Sequence, residues 1–405
     1  MKVLFLTIGQ IPDLKSPSVH IDVIRELRKR GHEVCVLCTR EKRLGLETEF
    51  AVEDGVRILR LKIGNITRCS MLEKGINTLL LEGQFRRALK KYFGQNKFDL
   101  VIYNTPPITL AGVVKYAKKR FGCKSYLMLK DIFPQNAVDI GILSKSGLKG
   151  LLYGMFRRKE IKLYKNSDRI GCMSRANMEY ILRENPYIPR EKVELFPNAV
   201  FSGSLGCRRK KDRELLKEYG IDPNRPVFIY GGNLGKPQGL PFLAEALKRV
   251  AGKYPCTFAI VGSGSEKQWF YSEMQGTAGV ALLDYLPYEK YETLCASCDV
   301  GMIMLDARFT IPNYPSRILS YMENAMPVFA CTDRNTDIKE LVESEAKCGK
   351  WCESGDLTAF EECVRWFLEH SAQFAQMGEN GRKYMEEHFV TDKNIEKLEK
   401  FVSEK

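Results

Sequence analysis

Short apolar runs recur along the chain, and each gives way to a loop and then to a segment with helical spacing. Residues 2–8 are nearly continuously apolar. Residues 19–30 make a basic amphipathic helix closed by Gly31-His32, and a second apolar run follows from Val34 to Leu37. A run without polar alternation suits a parallel strand covered on both faces. The opening is therefore a strand, crossover helix and parallel strand of the doubly wound kind. No other feature constrains the fold as strongly, because it fixes sheet type, layer order and the end at which ligands bind.

The pattern continues with strands at 57–62, 99–103 and 125–130, and helices at 74–93 and 108–120. A second set begins after Pro197-Asn198. A short charged helix spans 211–219, and a strand spans 226–230. The glycine-rich loop 231–239 leads into a helix at 240–252. Strands then follow near 256–261, 280–284, 299–304 and 327–331. The fold class expected is α/β, with two doubly wound parallel-sheet domains facing across a cleft. The expected boundaries are 1–198, 199–385, and 386–405 for a C-terminal helix that crosses back. At 405 residues, of which 44% are hydrophobic, the chain can supply two such cores.

The formal charge of +13 is unevenly placed. Residues 1–200 hold 37 basic and 20 acidic side chains, or +17; residues 201–405 hold 26 and 30, or −4. The first half is expected to meet something anionic. Two of its stretches mix large apolar residues with Lys and Arg: 71–94, with Leu79-Leu80-Leu81 and Arg86-Arg87, and 146–169, with Leu151-Leu152 and Arg157-Arg158-Lys159. Both fit peripheral contact with an anionic membrane. No apolar run reaches the ~18–20 residues of a spanning helix. The first strand is too short and too weakly basic at its start for a secretory signal. No nucleic-acid motif accompanies the charge, so nucleic acid is not an expected partner. The thirteen cysteines lack framework spacing, as in a reducing cytoplasm. Cys35 and Cys38 lie three apart in one strand and point to opposite faces, so no metal is expected there.

Candidate binding residues sit where strands end. The loop Gly231-Gly232-Asn233-Leu234-Gly235-Lys236-Pro237-Gln238-Gly239 allows close backbone approach to a phosphate, with Lys236 as a positive charge. Gly262-Ser263-Gly264 repeats the design after the next strand. Ser316 is a plausible helix N-cap with Arg317 in the first turn, an arrangement suited to an anion. In the first domain, Lys130-Asp131 ends a strand, either as a buried structural pair or as an acid/base facing the cleft. His20 opens the first helix after the loop Ser16-Pro17-Ser18, and Ser16 and His20 are candidates for the acceptor side.

In this order and spacing the motifs resemble the bacterial family 4 glycosyltransferases of the two-Rossmann GT-B architecture. The matching strings are Arg30-Gly31-His32-Glu33-Val34, Lys130-Asp131-Ile132-Phe133-Pro134 and Phe196-Pro197-Asn198-Ala199-Val200. They continue with Gly231-Gly232-Asn233-Leu234-Gly235, Val261-Gly262-Ser263-Gly264, Asp284-Tyr285-Leu286-Pro287 and Pro315-Ser316-Arg317. The resemblance implies retaining transfer from a nucleotide-sugar, usually a UDP-sugar, to an acceptor on the first domain. By position, Lys236, Ser316 and Arg317 would hold the diphosphate, and Leu286 would contact the base. Gly232, Asn233, Gln238, Gly262, Gly264 and Ser320 would complete the donor site, and Lys130 or Asp131 would sit beside the reacting centre. Cofactors are expected to be none, with no metal. The family's paired glutamates fall at Pro312 and Ser320, and its donor-loop Arg and Lys at Asn233 and Gln238.

The expected function is thus a glycosyltransferase in the cytoplasm at the inner membrane face. It would build a lipid-linked saccharide for capsule, exopolysaccharide or lipopolysaccharide. The alternatives are a nucleotide-sugar epimerase or hydrolase of the same architecture, and a non-catalytic sugar-binding subunit.

Overall fold

A computed structural model describes residues 1–16, 18–206 and 209–404. The chain forms two compact units. Unit 1 comprises Met1–Gly203 and Val390–Lys405, and unit 2 comprises Ser204–Phe389. The divisions fall five residues beyond the expected 198 and four beyond the expected 385.

Unit 1 holds strands β1 (Lys2–Leu6), β2 (Glu33–Glu41), β3 (Glu49–Glu53), β4 (Val56–Ile63), β5 (Leu100–Asn104), β6 (Lys124–Leu129), β7 (Arg169–Cys172) and β8 (Val193–Leu195). Their order in one sheet is β3-β4-β2-β1-β5-β6-β7-β8. Every pair is parallel except β3 with β4. Helices α1 (Val19–Lys29), α2 (Met71–Phe93), α3 (Ala111–Phe121), α4 (Gln135–Asp139), α5 (Gly147–Asn166) and α6 (Arg175–Glu184) cross between strands. Sheet order reverses at β1, which lies between β2 and β5. Loops after β1 and β5 therefore splay apart and leave room for a ligand.

Unit 2 holds β9 (Val227–Asn233), β10 (Thr257–Ser263), β11 (Val280–Leu283), β12 (Val300–Met304), β13 (Val328–Thr332) and β14 (Gly349–Glu353), ordered β11-β10-β9-β12-β13-β14 and all parallel. Its helices are α7 (Leu215–Glu218), α8 (Leu240–Val250), α9 (Lys267–Met274), α10 (Tyr288–Ser297), α11 (Arg317–Glu323), α12 (Leu357–Glu369) and α13 (Phe374–His388). Here the order reverses between β9 and β12, so the switch point lies under the glycine-rich loop.

The last helix, α14 (Thr391–Ser403), belongs to unit 1. Its Ile395, Leu398 and Phe401 join the core formed by Val3, Phe5, Tyr126 and Phe196. Arg30 pairs with Glu399 at 2.7 Å and Glu396 at 3.2 Å, and with Asp392. His32 Nε2 meets Glu399 at 2.8 Å. The Arg30-Gly31-His32 string is thus the clamp for the returning helix. Cys35 and Cys38 are buried and unpaired in β2, and no metal-binding group of His, Cys, Asp or Glu occurs among the described residues.

Candidate functional site

The donor candidates gather around the end of β9. Its last residues, Gly232 and Asn233, are exposed, and a turn at Lys236–Gln238 carries the chain to Gly239, which starts α8 with φ of +60°. Neighbouring backbone fixes this loop. A Cβ at Gly262 would lie 2.0 Å from the Gly232 carbonyl oxygen, and one at Gly264 would lie 2.2 Å from that of Leu234. Gly262 and Gly264 therefore let the β10 loop press against the β9 loop. A Cβ at Gly239 would come 3.2 Å from the Asp306 Cα, and Asp306 N–H donates to the Pro237 carbonyl at 3.0 Å.

Arg317 dominates the charge here. Its guanidinium lies over the Tyr230 ring, 4.5 Å from ring centre to Cζ, and a Cβ at Gly232 would come within 3.3 Å of its Nη2. Its Nη1 is enclosed and makes no hydrogen bond, and Arg317 has no carboxylate partner among the described residues. Enclosing part of a guanidinium without a counterion is costly unless a ligand supplies the charge. Beside it, the Tyr291 hydroxyl is buried and unpartnered, and it occupies the space where Gly231 would carry a Cβ. Lys236 is exposed on the turn. One cation thus sits against a glycine-lined backbone loop and a second is carried on its turn, the composition of a phosphate cradle.

Three further candidates differ in the company they keep. Ser316 stands at the N-cap position of α11 as expected, but it is exposed and in helical conformation, and its side chain makes no capping bond. The Asn233 side-chain amide donates to Gln238 Oε1 at 3.0 Å, so the loop closes on a neutral pair where the resemblance places cations. Ser320 Oγ donates at 2.7 Å to Glu292, a buried carboxylate that also accepts from Asn324 at 2.9 Å. Ser320 therefore faces a protein carboxylate on α10. Glu292 and Tyr291 escaped sequence reading because one helix contributes them sideways, without a motif. Leu286 is half-buried in the loop after β11.

In unit 1 the candidates lie at the ends of β1 and β6. Lys130 and Asp131 do not pair with each other. The Asn136 amide donates to both Asp131 oxygens, at 2.8 and 2.9 Å, and Thr105 Oγ1 takes the N–H of each residue at 3.2 Å. Burial raises the Asp131 carboxyl to about 6, against the opposing bonds from the Ile132 N–H and Asn136. Burial lowers the Lys130 ammonium to about 7, and the ammonium lies 5.6 Å from the centre of the Phe196 ring. His20 is lowered to about 4, first by burial and then by the nearby Lys130 charge, and its Nε2 has no partner. The Ser16 N–H and Oγ donate to Asp13 at 2.7 and 3.0 Å; Pro17 lies outside the described residues. Sequence reading missed Thr105, Asn136 and Asn104, which is buried with an unpartnered Oδ1.

Comparison with known proteins places the chain. Residues 18–201 match Glycosyltransferase Family 4, and residues 211–384 match Glycosyl transferases group 1. The protein named glycosyltransferase WbjE in Pseudomonas aeruginosa is 23% identical over 307 residues, 74% of this chain and 73% of the relative. That named colanic acid biosynthesis glycosyl transferase WcaI in Escherichia coli is 24% identical over 318 residues, 74% and 75% of the two chains. Among solved structures, Anabaena HepE in complex with UDP superposes with a TM-score of 0.71 at 16% identity over all of both chains. Sucrose-phosphate synthase of Thermosynechococcus elongatus gives 0.76 at 13% identity, over 99% and 98%. WaaG, a glycosyltransferase involved in lipopolysaccharide biosynthesis, gives 0.67 at 13% identity over all of both chains.

Fold and sequence together define a glycosyltransferase of GT-B architecture. Within that class, the chain belongs to the bacterial family 4 glycosyltransferases.

Proposed function

We propose that the protein moves a sugar, with retention of anomeric configuration, from a UDP-sugar to a lipid-linked saccharide during cell-surface polysaccharide assembly. The observation that carries the donor half is Arg317, a half-buried cation with an enclosed, unbonded Nη1 and no carboxylate partner among the described residues, set against Gly232. A leaving nucleoside diphosphate gains negative charge as the sugar becomes oxocarbenium-like. Arg317 and Lys236 meet that charge, so the reading assigns its neutralisation to side chains and needs no metal. The solved complex of HepE with UDP supports uridine as the first candidate base, and the colanic acid role in the name of WcaI supports the polysaccharide class.

Asp131 is the reading's catalytic carboxylate in unit 1, beside Lys130. Its raised titration range keeps an appreciable protonated fraction near pH 6 and an ionised one at pH 7, as an acid/base group requires.

The acceptor half rests on the surface of unit 1. On α2, Leu72, Ile76, Leu79 and Leu80 are exposed beside Lys74, Arg86 and Arg87. On α5, Leu148 is 83% exposed and Leu151 73%, next to exposed Lys145 and Lys149. Exposed leucines amid lysines suit the headgroup boundary of an anionic bilayer. No helix among the described residues is long and apolar enough to cross a membrane, so the contact proposed is peripheral, on the cytoplasmic side. The test is product formation. The purified protein with UDP- and GDP-sugars and a membrane extract should label a lipid fraction, and labelling absent across a broad donor panel would overturn the reading.

A further inference from the structure

We infer that Lys130 and His20 form a second oxyanion site, in unit 1, which holds the phosphate group of the acceptor. The inference rests on the lipid-linked acceptor reading above and assigns a substrate group to particular atoms.

β1, β5 and β6 are adjacent and parallel, so their carboxyl ends open on one side of the sheet. His20 stands in the first turn of α1, directly after the β1 loop, and Lys130 is the residue after β6. The His20 ring centre lies 6.0 Å from that of Phe5, and Phe196, the ring beside the Lys130 ammonium, belongs to the same core cluster as Phe5. The Lys130 ammonium has no carboxylate or hydrogen-bond partner among the described residues and lies near the Phe196 ring. His20 Nε2 is enclosed and unpartnered, while Nδ1 is the ring nitrogen nearer Gly9. A neutral imidazole can carry its proton on Nε2 and donate it. Ser18 caps α1 by accepting the His20 N–H at 3.3 Å, so the positive end of this eleven-residue helix adds to the same place.

The neighbouring carboxylates do not satisfy Lys130. Both Asp131 oxygens accept from Asn136, and Asp22 lies 3.9 Å from Arg25. The half-buried Lys130 ammonium and the enclosed His20 Nε2 thus both lack a hydrogen-bond partner among the described residues at the carboxyl end of one sheet, and a phosphate would supply acceptors to both. Two sources of phosphate exist in the proposed reaction. Unit 2 already provides Arg317 and Lys236 for the nucleotide, which assigns the unit 1 site to the acceptor.

The test titrates the full-length protein calorimetrically with geranyl diphosphate, a prenyl diphosphate free of membrane, and separately with UDP. The parent should bind both. Lys130→Met and His20→Leu should each weaken geranyl diphosphate by at least tenfold and leave UDP unchanged. Lys130→Arg should keep most of the affinity, and Arg317→Ala should show the reverse pattern. Thermal midpoints within a few degrees of the parent certify the fold of each variant. The site is overturned if the parent does not bind geranyl diphosphate, if both variants bind it like the parent, or if they lose UDP instead. UDP binding by the parent keeps the glycosyltransferase reading whichever way the acceptor arm falls.

Discussion

At the scale of single residues, the two units carry the same kind of signal, a cation that the protein itself leaves unsatisfied. Hydrogen bonds to charged groups are worth roughly 1.5–3 kcal/mol, so Arg317→Ala should weaken UDP binding by about 10–100-fold. The same change removes a half-buried charge that has no carboxylate partner among the described residues, and it should leave the urea midpoint nearly unmoved. Asp131 gives a prediction whose sign depends on pH. Its folded carboxyl titrates near 6, above the ordinary value, so its contribution to stability is full below about 4 and is lost as pH rises through 6. Asp131→Asn should therefore stabilise the protein at pH 7.5 and have no such effect at pH 4, as read by thermal melts. Turnover should fall sharply in the same variant if the carboxylate takes part in proton transfer; unchanged turnover would remove it from the mechanism.

At the scale of elements, the parallel strands and crossover helices were legible because apolar runs and helical spacing are local properties. The antiparallel β3 was not read from its own residues, which are largely exposed. Its signal was the Asp54-Gly55 turn, with φ of 47° and 76°, the chemistry of a tight hairpin. Strands β7, β8 and β14 are short and depend on their neighbours in the sheet. The glycine loops were legible as places of close approach. What they approach was not: Gly262 and Gly264 meet loop backbone, while Gly231 meets the Tyr291 hydroxyl. Gly264→Ala should accordingly push the β9 loop out of place and cost UDP affinity although residue 264 bears no ligand group. An affinity equal to the parent's would show that the loop does not need this packing. The returning helix α14 makes a second test of element packing. Phe401, at 6% exposure, sits in the unit 1 core. Phe401→Ala should cost about 3 kcal/mol in urea unfolding, far more than an exposed helix at the chain's end would.

At the scale of the whole molecule, the charge asymmetry acquires a location. The excess of +17 in residues 1–200 falls within unit 1, which also bears the exposed leucines of α2 and α5. Unit 2 meets its proposed anionic ligand through local groups despite its acidic balance. Binding to vesicles rich in phosphatidylglycerol should thus weaken as salt is raised, and Leu148→Glu combined with Leu151→Glu should abolish it without altering UDP affinity. Sedimentation with vesicles checks both; an unchanged bound fraction in the double variant would move the contact elsewhere. The central claim is that Arg317 anchors a nucleotide diphosphate. Calorimetric titration of UDP into the parent and Arg317→Ala proteins tests it most directly. The account predicts saturable binding by the parent, weakened at least tenfold in the variant; equal affinity in the two proteins would contradict it.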